Sequence, residues 1–247
     1  MSERRARRVT VNHHLFTQTG VDSGSLTMLG AVIHRFPEVG EYLGVAEREG
    51  KTRSFRLTVD EASAAMQVNV DLATLKPALA RDSECKCGDG EAEPIHRYVV
   101  SPAGYVLFHV SRGPGGYAVR VGRLVEQDEP VFDSAKLEGD DLFAVTLIRP
   151  GTYSVRNLIT SASGEIVVPY PEGGRAHRPS EPVEIECTEN AIRPARIRIQ
   201  AAQGQVYRFR TPSRIAIELM TPDDGPEAER PTPGPRRTVK PVRGPRA

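Results

Sequence analysis

Two cysteines and a nearby histidine come closest, by residue type and spacing, to a metal site. Cys85 and Cys87 are separated by one lysine, and His96 follows shortly after. Two thiolates at this spacing can reach one thiophilic ion, although a structural zinc site normally has four ligands and wider cysteine spacing. The acidic residues around the pair disfavour thiolate formation. We therefore expect exposed loop thiols and no bound cofactor, with metal binding by all three residues, or a redox-sensitive pair, as alternatives.

The other histidines do not suggest a ligand set. His13 and His14 are adjacent, so on a strand they would point to opposite faces. His34 and His109 lie within apolar runs, where a hydrogen-bonded core histidine is the usual outcome. His177 is flanked by arginines, which discourage a cation. No nucleophile elbow, phosphate-binding loop or paired-acid motif is recognisable. We therefore expect a protein that is not an enzyme.

Arginines alternate with apolar residues in the last predicted strands of the chain. Their parity sends five of them outward: Arg196, Arg198, Arg208, Arg210 and Arg214. Three acidic residues share that outward parity: Glu184, Glu186 and Glu218. One interpretation is a set of cross-strand ion pairs on a solvated face; the other is a basic platform for an acidic partner. Because Tyr207 and Phe209 have the inward parity, base stacking is disfavoured and a protein partner is favoured over RNA.

Charge is segregated along the chain, although the net charge of the 247 residues is only +1. Residues 1–10 carry four arginines against one glutamate, and residues 223–247 carry six basic residues against four acidic ones. The candidate contact residues in the C-terminal segment are Arg236, Arg237, Lys240 and Arg243. Such ends either keep the protein soluble or neutralise phosphate without reading bases.

Four turns combine proline, glycine and a following tyrosine. They are Pro37–Gly40–Tyr42, Pro102–Gly104–Tyr105, Pro114–Gly116–Tyr117 and Pro150–Gly151–Tyr153. Proline presets the first turn dihedral and glycine accepts a positive φ, so each turn should reverse the chain and begin a strand. We expect each tyrosine to be half-buried. Hairpins are predicted between residues 42–46 and 54–59, and between residues 105–110 and 117–124.

The pattern predicts an all-β protein with two antiparallel Greek-key sandwich modules. The predicted units are a first module at 9–80, an acidic linker at 81–95, a second module at 96–222 and a disordered basic tail at 223–247. The tail is rich in proline and arginine and has little apolar surface to bury.

Part of the chain resembles cupredoxin-like domains. The residues that carry the resemblance are Pro194, Ile197, Ile199, Gly204, Val206 and Phe209, within residues 182–209. The Pro-Gly-Thr-Tyr turn at 150–153 is similar to the turn before a late strand in cupredoxin and immunoglobulin-like sandwiches. Blue-copper sites use two histidines and a cysteine, often with an axial methionine. Cys187 is followed by Thr-Glu-Asn, and no histidine follows His177, so the resemblance implies the scaffold without copper chemistry.

These features together favour a non-catalytic protein-binding or assembly protein. The alternatives are a particle protein that contacts nucleic acid non-specifically through its basic ends, and the metal- or redox-active module described above. The N-terminal residues lack an apolar signal-peptide region, and three cysteines do not form an even disulfide framework. We therefore expect a soluble, cytoplasmic protein without a membrane segment, whose partner is another protein or a copy of itself.

Overall fold

The computed structural model describes residues 14–76, 96–125, 130–171 and 180–225. Within these ranges the regular secondary structure is β-strand apart from one helical turn, α1, at His14–Thr17. The strands are β1 (Gly20–Asp22), β2 (Gly30–His34), β3 (Gly40–Arg48), β4 (Lys51–Val59), β5 (Gln67–Asp71), β6 (His96–Val100), β7 (Tyr105–His109), β8 (Ala118–Arg123), β9 (Phe132–Asp133), β10 (Leu142–Thr146), β11 (Gly151–Asn157), β12 (Ser163–Val168), β13 (Val183–Cys187), β14 (Ile192–Arg193), β15 (Arg196–Arg198), β16 (Gly204–Phe209) and β17 (Ile215–Pro222). The all-β prediction is confirmed.

The described strands form three sheets. The central sheet has the order β14-β13-β16-β10-β2-β7-β5, the first flanking sheet β6-β4-β3-β8-β9, and the second flanking sheet β1-β17-β11-β12-β15. The prediction of two separate sandwich modules is wrong, because strands from before and after the predicted linker at 81–95 pair in the central and first flanking sheets. The linker and residues 226–247 of the predicted tail lie outside the described residues.

One of the two predicted hairpins is present. Strands β3 and β4 pair antiparallel along their whole length, from Gly40 opposite Val59 to Arg48 opposite Lys51. The second prediction is wrong, because β7 lies in the central sheet and β8 in the first flanking sheet. Three glycines with positive φ, at positions 113, 115 and 116, lie in the connection. They let it cross between sheets, so that β7 and β8 cover one core from opposite sides.

The two halves of the chain repeat one pairing pattern. In the first half β2 pairs with β7, β7 with β5, β3 with β4 and β8, and β4 with β6. In the second half β10 pairs with β16, β16 with β13, β11 with β12 and β17, and β12 with β15. The β7–β5 and β4–β6 pairs are parallel, as are their counterparts β16–β13 and β12–β15. Strands β2 and β10 pair antiparallel with Val32 opposite Phe143 and join the halves.

The halves also exchange their first strands. Strand β1 begins the first half but pairs with β17, whereas β9 begins the second half and pairs with β8. Matching sequences follow: residues 21–26 read Val-Asp-Ser-Gly-Ser-Leu and residues 132–137 read Phe-Asp-Ser-Ala-Lys-Leu. Asp22 and Asp133 each accept a 2.8 Å bond from the backbone N–H two residues later. The halves are therefore related by a pseudo-two-fold axis and interlocked.

Two of the tyrosine turns are structurally equivalent. The Tyr42 hydroxyl donates to the carbonyl of Glu38, and the Tyr153 hydroxyl to the carbonyl of Arg149, both at 2.7 Å. Gly40 and Gly151 precede them with φ values of 153° and 149°, which L residues rarely adopt. Burial raises the pKa of both tyrosines. Tyr42, Tyr117 and Tyr153 are buried and Tyr105 is 41% exposed, so the half-buried expectation is wrong for the first three.

Candidate interaction surface

The central sheet has one face inside the core and one face that is partly exposed. Alternation along its strands places Val32, Phe143 and Tyr207 in the core. The flanking sheets cover this side: the Phe108 ring lies 5.2 Å from that of Phe132, and a Cβ added at Gly30 would lie 2.7 Å from Val21 Cγ1. We term the opposite side the open face.

The centre of the open face is apolar. Six half-buried apolar side chains form this centre: Ala31, Ile33, Leu107, Leu142, Ala144 and Val206. They are direct neighbours across the ladder, since Ile33 is opposite Leu107 and Leu142, and Ala144 is opposite Ala31 and Val206. Polar and acidic residues lie towards the two edges, with Glu184 and Glu186 on β13 and Gln67 and Asn69 on β5. An apolar centre with a polar rim is the usual composition of a protein interface.

A groove of about 580 Å³ lies at one end of the open face. Ile33 and Leu142 form an apolar base, Tyr105 lies on the β7 side, and Arg208 and Arg210 lie on the β16 side. Arg35, which follows β2, and Asp140, which precedes β10, also line the groove. The groove therefore combines an aromatic wall, an apolar base and charges of both signs.

The charged side chains of this groove differ in how they are paired. Arg208 pairs with Glu184 at 3.3 Å and Arg210 with Glu186 at 2.6 Å, which matches the cross-strand interpretation for these two arginines. Arg35 donates its Nε–H to the carbonyl of Pro102 at 3.1 Å and makes no ion pair with the described residues. Arg35 is therefore oriented by the backbone while its charge stays available.

The five predicted arginines do not share one surface. Arg196 and Arg198 lie on β15 in the second flanking sheet, and Arg196 pairs with Glu165 at 2.8 Å. Arg214 donates two bonds to Asp22, at 3.0 and 2.8 Å, which raises the pKa of the guanidinium. This pair holds β1 against the start of β17. Among the five, the structure brings only Arg208 and Arg210 together at the open face. Glu218 pairs with Arg156 instead, at 2.9 Å.

Most of the other predicted ligand and contact residues lie outside the described residues: His13, Cys85, Cys87, His177, Arg236, Arg237, Lys240 and Arg243. His96 is the first residue of β6, and its Nε2 atom is buried with no hydrogen-bond partner among the described residues. Across the described ranges, no three His, Cys, Asp or Glu side chains are grouped so that they could hold a metal ion. Cys187 is a buried free thiol whose pKa burial raises to about 12, assisted by Glu186.

A histidine–aspartate pair lies on the buried side of the central sheet. His34 Nδ1 and Asp141 Oδ1 are 2.5 Å apart, which confirms His34 as a hydrogen-bonded histidine. The His34 ring contacts those of Phe36 and Phe132, at centroid distances of 4.4 and 4.8 Å. Its Nε2 atom is buried and has no hydrogen-bond partner in the described part of the chain. The pair links the end of β2 to the residue before β10. Among the described residues, no hydroxyl or thiol hydrogen-bonds to the His34 ring as the third member of an acid–base triad would.

A second polar cluster also resembles a triad in residue type. The Ser111 hydroxyl donates to Asp71 at 2.5 Å. Activation of this hydroxyl as a nucleophile would require a hydrogen bond to His109 instead, and the two side chains do not form one. Burial alone would raise the pKa of Asp71, but bonds from Ser111 and Ala73 outweigh it and lower that pKa. His109 lies on the open face, so its prediction as a core residue is wrong. The cluster fixes the end of β5.

Apart from Arg208 and Arg210, the residues that form the groove were not predicted from the sequence. Arg35, Tyr105 and Leu142 come from three different strands or their ends, and only the non-local pairing of β7, β2 and β10 brings them together. A signal for the fold was present in the Asp-Ser repeat at positions 22–23 and 133–134, which are 111 residues apart. Gly40 and Gly151, and Tyr42 and Tyr153, have the same spacing.

Within the described ranges, no helix has the length and apolar character to cross a bilayer. Comparisons with protein-family models, with curated proteins and with solved structures gave no match.

Proposed function

We propose that the protein is a non-catalytic binding or assembly protein whose working surface is the open face of the central sheet. The observation that carries this proposal is that the two faces of the central sheet differ in how far they are covered. One face is covered by two flanking sheets, whereas the other leaves six neighbouring apolar side chains half-buried at its centre. Contiguous apolar surface of this kind, rimmed by polar residues, is typical of protein interaction sites.

The scaffold supports a role in presenting a surface. We propose that each half is a cupredoxin-like or immunoglobulin-like sandwich, because each has a tyrosine that bonds back to a carbonyl four residues earlier, a feature of such Greek-key folds. The interlocked first strands tie the halves together. This arrangement holds the open face as one continuous seven-stranded platform.

A matched pair of variants tests the proposal. Ala144→Arg places a long charged side chain at the apolar centre of the open face, whereas Thr52→Arg adds the same side chain at an exposed position of β4 in the first flanking sheet. Immobilised full-length protein and both variants are incubated with extract of the source organism, at low and high salt. We expect wild type and Thr52→Arg to retain the same proteins and Ala144→Arg to lose them, with all three melting alike. Equal retention by Ala144→Arg would contradict the proposal.

The two alternatives predict different results in the same experiment. A particle protein that binds nucleic acid through basic ends would retain nucleic acid, lose it steeply as salt rises and be insensitive to Ala144→Arg. A metal-binding module would contain at least one equivalent of metal after anaerobic purification and zinc loading. Apart from His96, the residues on which these alternatives depend lie outside the described residues.

A further inference from the structure

The groove at the end of the open face has a pseudo-equivalent position at the other end, and the two differ in chemistry. Equivalent residues of β2 and β10 are 111 positions apart, and those of β7 and β16 are 99 apart, because Val32 faces Phe108 as Phe143 faces Tyr207. Arg35 therefore corresponds to Thr146 and Tyr105 to Gly204. Arg208 and Arg210 correspond to His109 and Ser111.

The fold therefore does not require the arginines and the tyrosine of the groove, because the same positions in the other half hold threonine, glycine, histidine and serine. Ile33 likewise corresponds to Ala144. One end of an otherwise repeated sheet carries the aromatic wall, the larger apolar base and the arginines. Tyrosine and arginine are the residue types most enriched where protein interfaces concentrate their binding energy.

We infer that the groove binds an extended acidic segment of a partner protein, with one apolar side chain of that segment over Ile33 and Leu142 and a carboxylate on Arg35. This inference rests on the proposed function and names the chemistry of the partner. The volume of about 580 Å³ accommodates one or two side chains. Arg35 has no acidic partner among the described residues, and its bond to the Pro102 carbonyl leaves the terminal guanidinium nitrogens for a carboxylate.

The other two arginines extend the acidic preference along the segment. The Arg208–Glu184 and Arg210–Glu186 pairs are exposed, with 53% and 71% of the arginine side chains accessible. Exposed ion pairs contribute little to stability, so a carboxylate of the partner can replace the glutamate or share the arginine with it. Asp140 is exposed, lines the same groove and makes no ion pair within the described residues. Because its negative charge repels an acidic segment, neutralising Asp140 should strengthen binding, whereas neutralising Arg35 should weaken it.

The test begins with a random dodecapeptide display library selected on immobilised full-length protein. Sequences with aspartate or glutamate on both sides of an apolar residue should be enriched. The best peptide is then fluorescein-labelled and titrated by anisotropy against wild type, Arg35→Gln, Tyr105→Ala and Asp140→Asn. Arg156→Gln is the matched control, since Arg156 is exposed and ion-paired in the second flanking sheet. Thermal melts confirm that each variant is folded.

We expect Arg35→Gln and Tyr105→Ala each to weaken binding about tenfold and Asp140→Asn to strengthen it a few-fold, with Arg156→Gln unchanged. Failure to enrich any peptide, enrichment without acidic residues, or wild-type affinity in Arg35→Gln would overturn the inference. Displacement of the labelled peptide by mixed-sequence single-stranded DNA, at a lower concentration than unlabelled peptide needs, would also overturn it, because the groove would then bind phosphate. A dimer detected by light scattering and abolished by Arg35→Gln would overturn it as well, because the groove would then bind a second copy of the chain. If the groove variants have no effect while Ala144→Arg still abolishes capture, the proposed function stands and this inference fails.

Discussion

Truncation of Tyr153 tests how the turn at residues 150–153 is anchored to the core. Tyr153 is 2% exposed and its hydroxyl donates to the Arg149 carbonyl at 2.7 Å. Removing a buried aromatic ring costs about 3–5 kcal/mol, the sum of lost burial and of the cavity that remains. We therefore expect Tyr153→Ala to lower the free energy of unfolding by about that amount.

Two further variants separate the contributions to stability. One isolates the hydrogen bond of the Tyr153 hydroxyl, and the other truncates a tyrosine that follows a similar turn but is exposed. Tyr153→Phe keeps the ring and removes only the hydrogen bond, so its expected cost is about 1 kcal/mol. Tyr105 also follows a turn that contains proline and glycine, but it is 41% exposed. Because much of its surface stays in water in the folded state, Tyr105→Ala should cost only about 1 kcal/mol.

Urea denaturation followed by far-ultraviolet circular dichroism measures all three free energies, with a shared slope as the check that unfolding remains comparable. The reasoning predicts the order Tyr153→Ala, then Tyr153→Phe and Tyr105→Ala together. A loss within about 0.5 kcal/mol for Tyr153→Ala, the range of ordinary surface substitutions, would refute the assigned burial.

Three other perturbations follow from the described contacts. Gly44→Ala should destabilise by about 1–3 kcal/mol in urea denaturation, because the new Cβ would lie 2.0–2.4 Å from ring atoms of buried Phe55; unchanged stability would contradict the packing. Arg214→Ala removes both bonds to Asp22, so amide exchange in β1 should accelerate more than in β10, and equal acceleration would argue against a local role. Burial raises the pKa of Cys187 to about 12, so its thiol ionises above about pH 8.5 in the unfolded chain alone. Stability should then fall between pH 9 and 12, by up to about 1.4 kcal/mol per pH unit, and Cys187→Ala should flatten that slope in melts at stepped pH.

The local structure of this chain could be predicted from sequence because its signals are local. Apolar and other residues alternate along residues 183–187, which form β13, and the predicted proline–glycine turns lie at the starts of β3, β7 and β11. The Tyr207 and Phe209 side chains are buried on the predicted parity. These features depend on φ preferences and on the two-residue period of a strand.

The arrangement of sheets could not be predicted in the same way, because it depends on pairings between distant residues. The alternation within a strand shows which side chains share a face, but it does not show to which sheet the strand belongs. Arg198 and Arg208 were therefore predicted to lie on one surface, although β15 and β16 belong to different sheets. The turn before Tyr117 has the composition of a hairpin, yet its chain crosses between sheets. Comparing residues 111 positions apart would have exposed the repeat and the exchanged strands.

We propose that partners bind at the open face, and side-chain footprinting can locate the binding surface without any substitution. Full-length protein is exposed to hydroxyl radicals alone and in the complex recovered from extract, and oxidation is quantified residue by residue. We expect Tyr105, Leu107 and Leu142 on the open face to lose most of their reactivity in the complex. The exposed Leu158 and Met220 of the second half should remain unchanged. Protection of Leu158 and Met220 with no change at Tyr105 and Leu142 would contradict the account.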